Sequence, residues 1–585
     1  MALSTPSASP AVVVKEIDLT GGVPNVQSTT GAIVGNFRWG PAEQRVLIDN
    51  ETNLANTFAS PDSANTIDWH SASYFLRYSG SLQVVREITS DALNARSSTG
   101  QLATDSDGGL GVPIVKNATD FLGQEATLAA ASHTFIAKYP GELGNGIKVS
   151  ICPPDDSAFA LWAYKNEFDT APGTSDFATQ IGASNDEIHV VVVDSDGEFT
   201  GTRGTILERY PFMSVGNNAK NTDGTTNYVI DAINNRSQYI WMSGFDSNHS
   251  TAGAGTNIDA GDNFDPTALT SATDYTFTKG ANSAALGTTE FLSGFDLFED
   301  KDIVEVDFLI APGMTSRENQ TTVVNDLITT AQSLRKDCVV ISSPARSDMV
   351  NLTNTATMTN NAVATANTFT NSSYLVADAN YLKIYDKFND QYINIPAASS
   401  TAGIMAATDL NRAPWFSPAG SRRGQYLGIT SISYSPTKAQ RDTLYKAGVN
   451  PIANIPGQGI LLFGDKTKLG RPSAFDRINV RRLFLVLERA IGRAAEQVMF
   501  EFNDEFTRAE FVNIVEPVLR EVRGRRGITD FRVVCDETNN TPAVVDRNEF
   551  IANIFIKPAR SINYVTLNFV AVRTGVDFEE VVGTV

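Results

Sequence analysis

The residues able to do chemistry are sparse and badly spaced for it. Four histidines, His70, His133, His189 and His249, stand roughly sixty residues apart in the 585-residue chain, with no HExxH and no Cys-His cluster, so local spacing assembles no zinc site. Cys152, Cys338 and Cys535 lie nearly two hundred residues apart without a CxxC pair and read as buried free thiols of a reducing compartment. The turns Asp105-Ser106-Asp107-Gly108-Gly109 and Asp194-Ser195-Asp196-Gly197-Glu198 have a calcium-loop flavour but lack the full spacing with glutamate at position twelve, so both read as solvated turns. In Gly459-Ile460-Leu461-Leu462-Phe463-Gly464-Asp465-Lys466-Thr467, Asp465 stands where a phosphate loop needs glycine. Ile460 to Phe463 would also keep backbone amides from wrapping a phosphate; a buried strand ending in a polar turn fits better. Pro140-Gly141-Glu142-Leu143-Gly144-Asn145-Gly146 is glycine-dense but lacks the GxGxxG order of a dinucleotide site. The expectation is a protein that is not an enzyme and holds no cofactor or metal.

Charge narrows the partners. Lys plus Arg total 46 against 66 Asp plus Glu, a net of -20, so the surface as a whole repels nucleic acid and anionic lipid. No stretch reaches the length of a membrane helix, and no basic residue precedes the apolar Val12 to Val14 as a signal peptide requires. The sequence therefore predicts a soluble chain with no direct nucleic acid or membrane contact. Residues 101 to 300 hold 27 acidic against 9 basic residues, a net of -18. This third, rich in turn formers, reads as an outward-facing, mostly β insertion with long loops. Arg520, Arg523, Arg525 and Arg526 form the one dense basic patch. They are either a solvated helix end complementing the macrodipole or a docking patch for an acidic protein surface.

The positioning elements follow from periodicity. Ile303 to Ile310 predicts a strand, Ser316 caps a helix carrying Val323, Val324, Leu327, Ile328, Ala331 and Leu334, and Cys338 to Ser342 is a strand again. Gly31 to Gly35, a helical segment near Trp69 to Tyr78, and Leu82 to Arg86 read similarly, so the two runs can form one sheet interrupted by the acidic insertion. The Asn/Thr/Ala-rich stretch from Asn351 to Ser373 reads as an extended surface ribbon or loop. Further on, Ile478, Leu483, Phe484, Leu487, Ala490, Ile491, Ala494, Ala495, Val498 and Phe502 mark an amphipathic helix, with Arg481, Arg482, Glu488, Arg489, Arg493 and Glu496 largely off its stripe. Thr507 and Glu510 predict a capping box for a second helix, kinked at Pro517 and stopping near Gly524. Strands at Ile528 to Cys535, Phe550 to Lys557 and Ile562 to Val572 follow.

The fold class expected is thus α+β / α/β multidomain. Its parts are an N-terminal extended arm (1-20), a discontinuous α/β core (21-100 and 300-450), the acidic, mainly β insertion (101-299), a C-terminal α+β domain (451-573) and a C-terminal strand arm (574-585). The arms, with Val12, Val14, Ile17 and Leu19 at one end and Val576, Phe578 and Val581 at the other, read as strands outside a core. Such strands either pair with another chain or tuck into their own domain.

Several motifs in order resemble the contractile tail sheath proteins of bacteriophages, relatives of the sheaths of contractile injection systems. They are Thr30 to Gly35 with Gly40-Pro41; Tyr139 to Gly146; Asp409 with Ala413-Pro414-Trp415; Ile455-Pro456-Gly457-Gln458-Gly459-Ile460; Ile478-Asn479-Val480-Arg481-Arg482-Leu483-Phe484; Phe500 to Asn503; Cys535 to Thr541; and Ile556-Lys557-Pro558-Ala559-Arg560-Ser561-Ile562. Gly464 to Thr467 departs from the family's Gly-x-Arg-Thr, and Tyr164 to Glu290 matches no recognisable pattern. The resemblance implies a homopolymeric helical sheath around an inner tail tube protein, with baseplate and tail terminator proteins as further partners. It would be located in the virion tail after assembly in the host cytoplasm, and contraction would drive the tube through the target envelope without consuming nucleotide. It also implies that the terminal arms join subunits and that the four arginines face the tube. A capsid-like or surface-array shell protein, or a nucleotide-binding α/β enzyme, are the rival readings.

Overall fold

Gly31–Gly35 and Phe308–Ile310 lie side by side and parallel, Gly31 opposite Phe308 and Ala32 opposite Leu309, although the whole acidic third of the chain separates them. The computed structural model that shows this describes residues 28–97, 114–130, 134–245, 254–264 and 271–562. The two terminal arms, and the predicted last strand beyond Ile562, lie outside these residues. The chain divides into two units, one of Val26–Pro414 with Pro418–Arg489, the other including Trp415–Ser417 and the chain from Ala490 onward.

In the larger unit the first sheet runs Val449–Asn450, Leu375–Asp378, Val339–Ser342, Phe308–Ile310, Gly31–Gly35, Leu82–Arg86, Arg45–Ile48. All neighbours are parallel except the antiparallel edge strand Arg45–Ile48. A parallel sheet is covered on both faces, which is why its strands read as unbroken apolar runs. On one face Val34, Leu309, Val340 and Leu375 pack with Phe291, Phe295, Val324 and Leu327. On the other Ile33, Phe308, Ile341 and Val376 pack with Trp69, Phe75, Met405 and Ile478. Gly31 is required here, because a Cβ would lie 2.7 Å from the Phe75 ring. The interrupted sheet expected from the sequence is therefore present.

Two elements differ from expectation. The strand predicted from Ile303 shortens to Phe308–Ile310. The backbone before it is engaged otherwise: the fully buried Arg335 guanidinium donates to the carbonyls of Phe298 (2.6 Å) and Val304 (2.8 Å). The predicted ribbon at 351 to 373 instead contains a helix, Thr355–Thr368, whose N-cap Asn354 accepts the N–H groups of Ala356 and Thr357. Met358, Ala362 and Ala366 fall at i, i+4 and i+8 and enter the core. One small apolar residue per turn is enough for close packing but too sparse to stand out in an Asn/Thr-rich stretch.

The acidic third supplies most of a second, antiparallel sheet: Thr205–Ser214, Glu187–Asp194, Ile147–Cys152, Thr273–Thr278, Arg96–Ser97, Phe135–Ala137, Ile240–Met242. The expectation of a mostly β stretch is corrected here: among the described residues of 101 to 300 more lie in helices (Ala118–Ala130, Asp156–Leu161, Asp176–Ile181, Val229–Arg236 and Thr288–Asp296) than in strands, and Thr288–Asp296 sends Phe291 and Phe295 into the first sheet's core. His189 is buried in this sheet: its Nδ1 accepts the Phe212 N–H (3.0 Å), so Nε2 donates to the Thr170 carbonyl (2.9 Å). All three cysteines are buried and free. A third sheet joins Gln391–Pro396, Tyr381–Asp386 and Ser431–Ile432.

Candidate assembly surface and its scaffold

The helix Ile478–Glu496 carries its apolar stripe as expected but ends before Val498 and Phe502; Phe502 is exposed. Its arginines are the larger surprise, because three of them lie inside. Arg482 closes on both carboxylate oxygens of Asp409 and donates to the carbonyls of Ser28 and Met405, each at 3.1 Å. The pair is almost wholly enclosed, with side chains 5% and 3% exposed. Ser28 Oγ also donates to Asp409 (2.6 Å). Burial pushes the Asp409 carboxyl up to about 6 against the opposing pull of Arg482. One turn and three residues further, Arg489 pairs with Asp307 at 2.8 Å, and burial likewise holds Asp307 above the usual carboxylate range. Arg481 is sandwiched between the rings of Tyr374 (4.3 Å) and Phe475 (4.2 Å) and donates to Ser373 Oγ (2.6 Å). These are not the solvated face of an amphipathic helix. Elements from distant parts of the chain enclose the helix on more than one side, so each charge needs a built partner.

Two glycine-rich or basic motifs that failed as ligand loops prove to be structural. Asp465 accepts from Tyr445 OH (3.0 Å), pairs with Arg477 (2.9 Å) and receives the Ile478 N–H on its carbonyl, anchoring the start of the same helix. Pro140 to Gly146 meets the fully buried Arg86, which donates to the carbonyls of Phe37 (2.8 Å), Gly40 (2.7 Å) and Pro140 (2.6 Å). Gly141 has φ +144°, and a Cβ there would lie 2.7 Å from the Arg38 carbonyl oxygen, so only glycine fits.

The smaller unit is built on the helix Glu505–Gly524. Its N-cap is Asp504, whose side chain accepts the Thr507 N–H (2.9 Å), so the cap sits three residues before the predicted Thr507 box. The helix continues through Pro517, burying Phe511, Val515, Leu519 and Val522. After the turn, Ile528–Val534 and Asn553–Pro558 form a two-stranded antiparallel sheet. Asn540 ties its connection, exchanging hydrogen bonds of 2.8 Å in both directions with the backbone of Ile551. Among the described residues no third strand joins this pair, and Phe555 stays 58% exposed. Two strands are marginal alone. Arg520, Arg523, Arg525 and Arg526 are all exposed. Arg520 pairs with Glu516 (2.5 Å) and Arg525 with Glu521 (3.3 Å). Arg523 stands over the Phe531 ring (5.4 Å) and Arg525 over Trp415 (5.2 Å), whose Nε1 donates to the Arg525 carbonyl (3.1 Å). The basic patch is thus held in place by local contacts, two of its charges partly offset by glutamates.

A family model for the phage tail sheath protein central domain matches residues 283–468, and one for the phage tail sheath C-terminal domain matches 471–571. The tail sheath protein of Enterobacteria phage T4 is 30% identical, the match covering 98% of this chain and 99% of that one. This chain belongs to the phage tail sheath protein family. The tail sheath protein of Vibrio phage KVP40 matches equally well, at 30% identity over 98% of this chain and 99% of its own. Among solved structures, the sheath tail protein from Listeria innocua has a TM-score of 0.52 at 12% identity, covering 91% of this chain and 96% of that one. The one from Desulfitobacterium hafniense has 0.51 at 13%, covering 94% and 100%. Both share the mixed α/β fold.

The sheath family places the scaffold in context. Asp409 lies in the stretch matched by the central-domain model and Arg482 in that matched by the C-terminal model, so the buried ion pair joins the two matched stretches. The whole-chain alignments also run through Tyr164 to Glu290, correcting the expectation that this stretch matches nothing. The curated relatives are structural tail sheath proteins. No group of His, Cys, Asp and Glu among the described residues is arranged to hold a metal ion, and no described helix is long and apolar enough to cross a membrane.

Proposed function

We propose that this chain polymerises as a helical contractile sheath around an inner tail tube, in contact with baseplate and tail terminator proteins. It would assemble in the host cytoplasm and be carried in the virion tail. Contraction from a metastable extended lattice drives the tube through the target envelope. The observation that carries the reading is identity to phage tail sheath proteins from end to end. The arms, through Val12, Val14, Ile17, Leu19, Val576, Phe578 and Val581, add strands to the two-stranded sheet of neighbouring subunits. The sheet of Ile528–Val534 and Asn553–Pro558, which has two strands among the described residues, supports this, since strand addition satisfies edge backbone groups. Subunits then move as rigid bodies with the intersubunit strands as hinges. Deleting residues 1–20 is expected to leave a folded monomer, by circular dichroism, that forms no tubes in negative-stain microscopy. Normal tubes from the truncated chain would falsify the role of the N-terminal arm.

Arg520, Arg523, Arg525 and Arg526 meet acidic groups of the tube in this reading. Exposed ion pairs are worth only ~0.2–1 kcal/mol each and weaken with salt, so many copies template the lattice and still release on contraction. Arg523→Glu with Arg526→Glu is expected to impair assembly on tubes several-fold, most at low salt, with the melting temperature unchanged. Wild-type assembly of this variant across low and high salt removes the arginines from the tube contact.

A further inference from the structure

The chain crosses from the first sheet to the second after Leu82–Arg86 and returns into the helix Thr288–Asp296, whose Phe291 and Phe295 enter the first core. The two crossings run side by side. Leu93 and Ala281 exchange backbone hydrogen bonds of 3.0 and 3.1 Å, and Thr89 Oγ1 accepts the Ala284 N–H (3.1 Å). Glu87, the first residue past the strand, sits at the foot of this neck. Its N–H donates to the Gly35 carbonyl (3.1 Å), which holds it to the first sheet, and its side chain packs on the returning helix at Gly294. A Cβ at Gly294 would come within 2.8 Å of Glu87 Cγ and 2.5 Å of Val34 Cγ1, so glycine is what lets the helix close on both.

Glu87 is 2% exposed, and among the described residues its Oε1 has no hydrogen-bond partner. A buried acceptor in that position is costly, and an ionised one far more so. The charged groups that face it come from three elements. Glu43, just before the edge strand Arg45–Ile48, donates its N–H to the Arg86 carbonyl (2.8 Å) and pairs through its carboxylate with Lys116 (2.6 Å), which precedes the helix Ala118–Ala130. Glu290 lies one turn before Gly294 on the returning helix, its carboxylate engaged by the Gly287 N–H (2.8 Å). On Glu87's own strand, Arg86 turns its guanidinium onto the carbonyls of Phe37, Gly40 and Pro140. Three carboxyl groups thus converge on one ammonium, and that ammonium is already paired with Glu43.

We infer that Glu87 is a proton-dependent latch on the neck between the first and second sheets. Protonated, its carboxyl stays seated against Gly294 and keeps the returning helix closed on the first sheet. Ionised, it is a buried charge facing two other carboxylates, and it reaches water only by opening the helix and the two crossings. Burial and the charge of Glu43, with a smaller contribution from Glu290 and against the pull of Lys116, push the carboxyl up to about 8. An opened neck exposes it and returns it towards the ordinary value of about 4.3. The closed neck therefore binds the extra proton between those values, so its stability falls as pH rises across them, and above about 8 this group adds no further loss. The latch lies within one chain and does not depend on polymerisation.

Hydrogen exchange of the full chain, corrected for the intrinsic pH dependence of amide exchange, tests it. From pH 6 to pH 9 the wild-type amides of residues 87–95 and 281–296 should lose protection at least about tenfold more than those of Glu87→Gln, whose side chain is neutral at every pH. The central strand Val339–Ser342 should stay protected in both proteins. Glu43→Gln, at an exposed position, removes one facing charge and leaves Glu87 in place. Its loss of protection should level off at a lower pH than in wild type and be smaller. Equal pH dependence in wild type and Glu87→Gln overturns the latch, and so does loosening that reaches Val339–Ser342 to the same extent, which is global unfolding. Should Glu87→Gln fail to fold, the Glu43→Gln profile decides, and one identical to wild type overturns the latch as well.

Discussion

Arg482→Met is expected to destabilise the larger unit by about 3–5 kcal/mol, the cost of breaking a buried ion pair by removing one partner. Methionine fills much of the same volume, so the loss is electrostatic. Asp409 would stay enclosed with Ser28 Oγ as its remaining donor, and the carbonyls of Ser28 and Met405 would lose theirs. Arg482→Met combined with Asp409→Leu removes both charges and should regain most of the stability, since replacing a whole buried pair is often neutral. The pH dependence has a definite sign. Burial already lifts Asp409 to about 6 with the guanidinium present; without it the folded carboxyl is lifted further above its unfolded value near 4. The folded variant then binds more protons than the unfolded chain between those values, so its stability rises as pH falls from 7 towards 5. Urea unfolding of the three proteins at pH 7 and pH 5.5 checks both expectations. A single variant as stable as wild type at pH 7 would show that the pair contributes only packing.

Arg86→Met should cost at least about 3 kcal/mol, because three buried carbonyls lose a charged donor at once and each unsatisfied group costs ~1–3 kcal/mol. Arg86→Lys should recover little of it. One ammonium on a flexible stem cannot reproduce the planar fork that reaches Phe37, Gly40 and Pro140 together. Arg86 ends a first-sheet strand while Pro140 leads into the strand Ile147–Cys152 of the second sheet. The loss should therefore appear first as faster proteolysis in the second sheet, followed by a lowered melting temperature. If lysine serves as well as arginine in both measurements, the three carbonyls do not depend on the fork.

Sequence reading reached the elements whose signal is local and strong. The apolar runs Gly31 to Gly35 and Cys338 to Ser342 report burial on both sheet faces, and Ser316 with its following stripe reports a capped helix. It failed where the signal was diluted or duplicated. The helix Thr355–Thr368 hid its small core residues among threonines and asparagines, and Asp504 captured the N–H of Thr507 before Thr507 could act as a cap. A carboxylate is a stronger N–H acceptor than a hydroxyl, so Asp504 opens the helix and Thr507 falls inside its first turn.

By itself the sequence determined the interrupted α/β core, the acidic character of residues 101 to 300 and the presence of strands within them, and, through its ordered motifs, a resemblance to the sheath family. The first two follow from composition and periodicity, which need no knowledge of what lies across the fold; the last rests on resemblance of motifs in order. Only the tertiary structure decided which charges are solvated. Arg520 and Arg525 stay on the surface with helical glutamates, while Arg482, equally charged and also off its helix's apolar stripe, is buried against an aspartate 73 residues away. A long side chain is enclosed or exposed according to which distant elements close over it, and that is a property of the assembled core rather than of any window of residues.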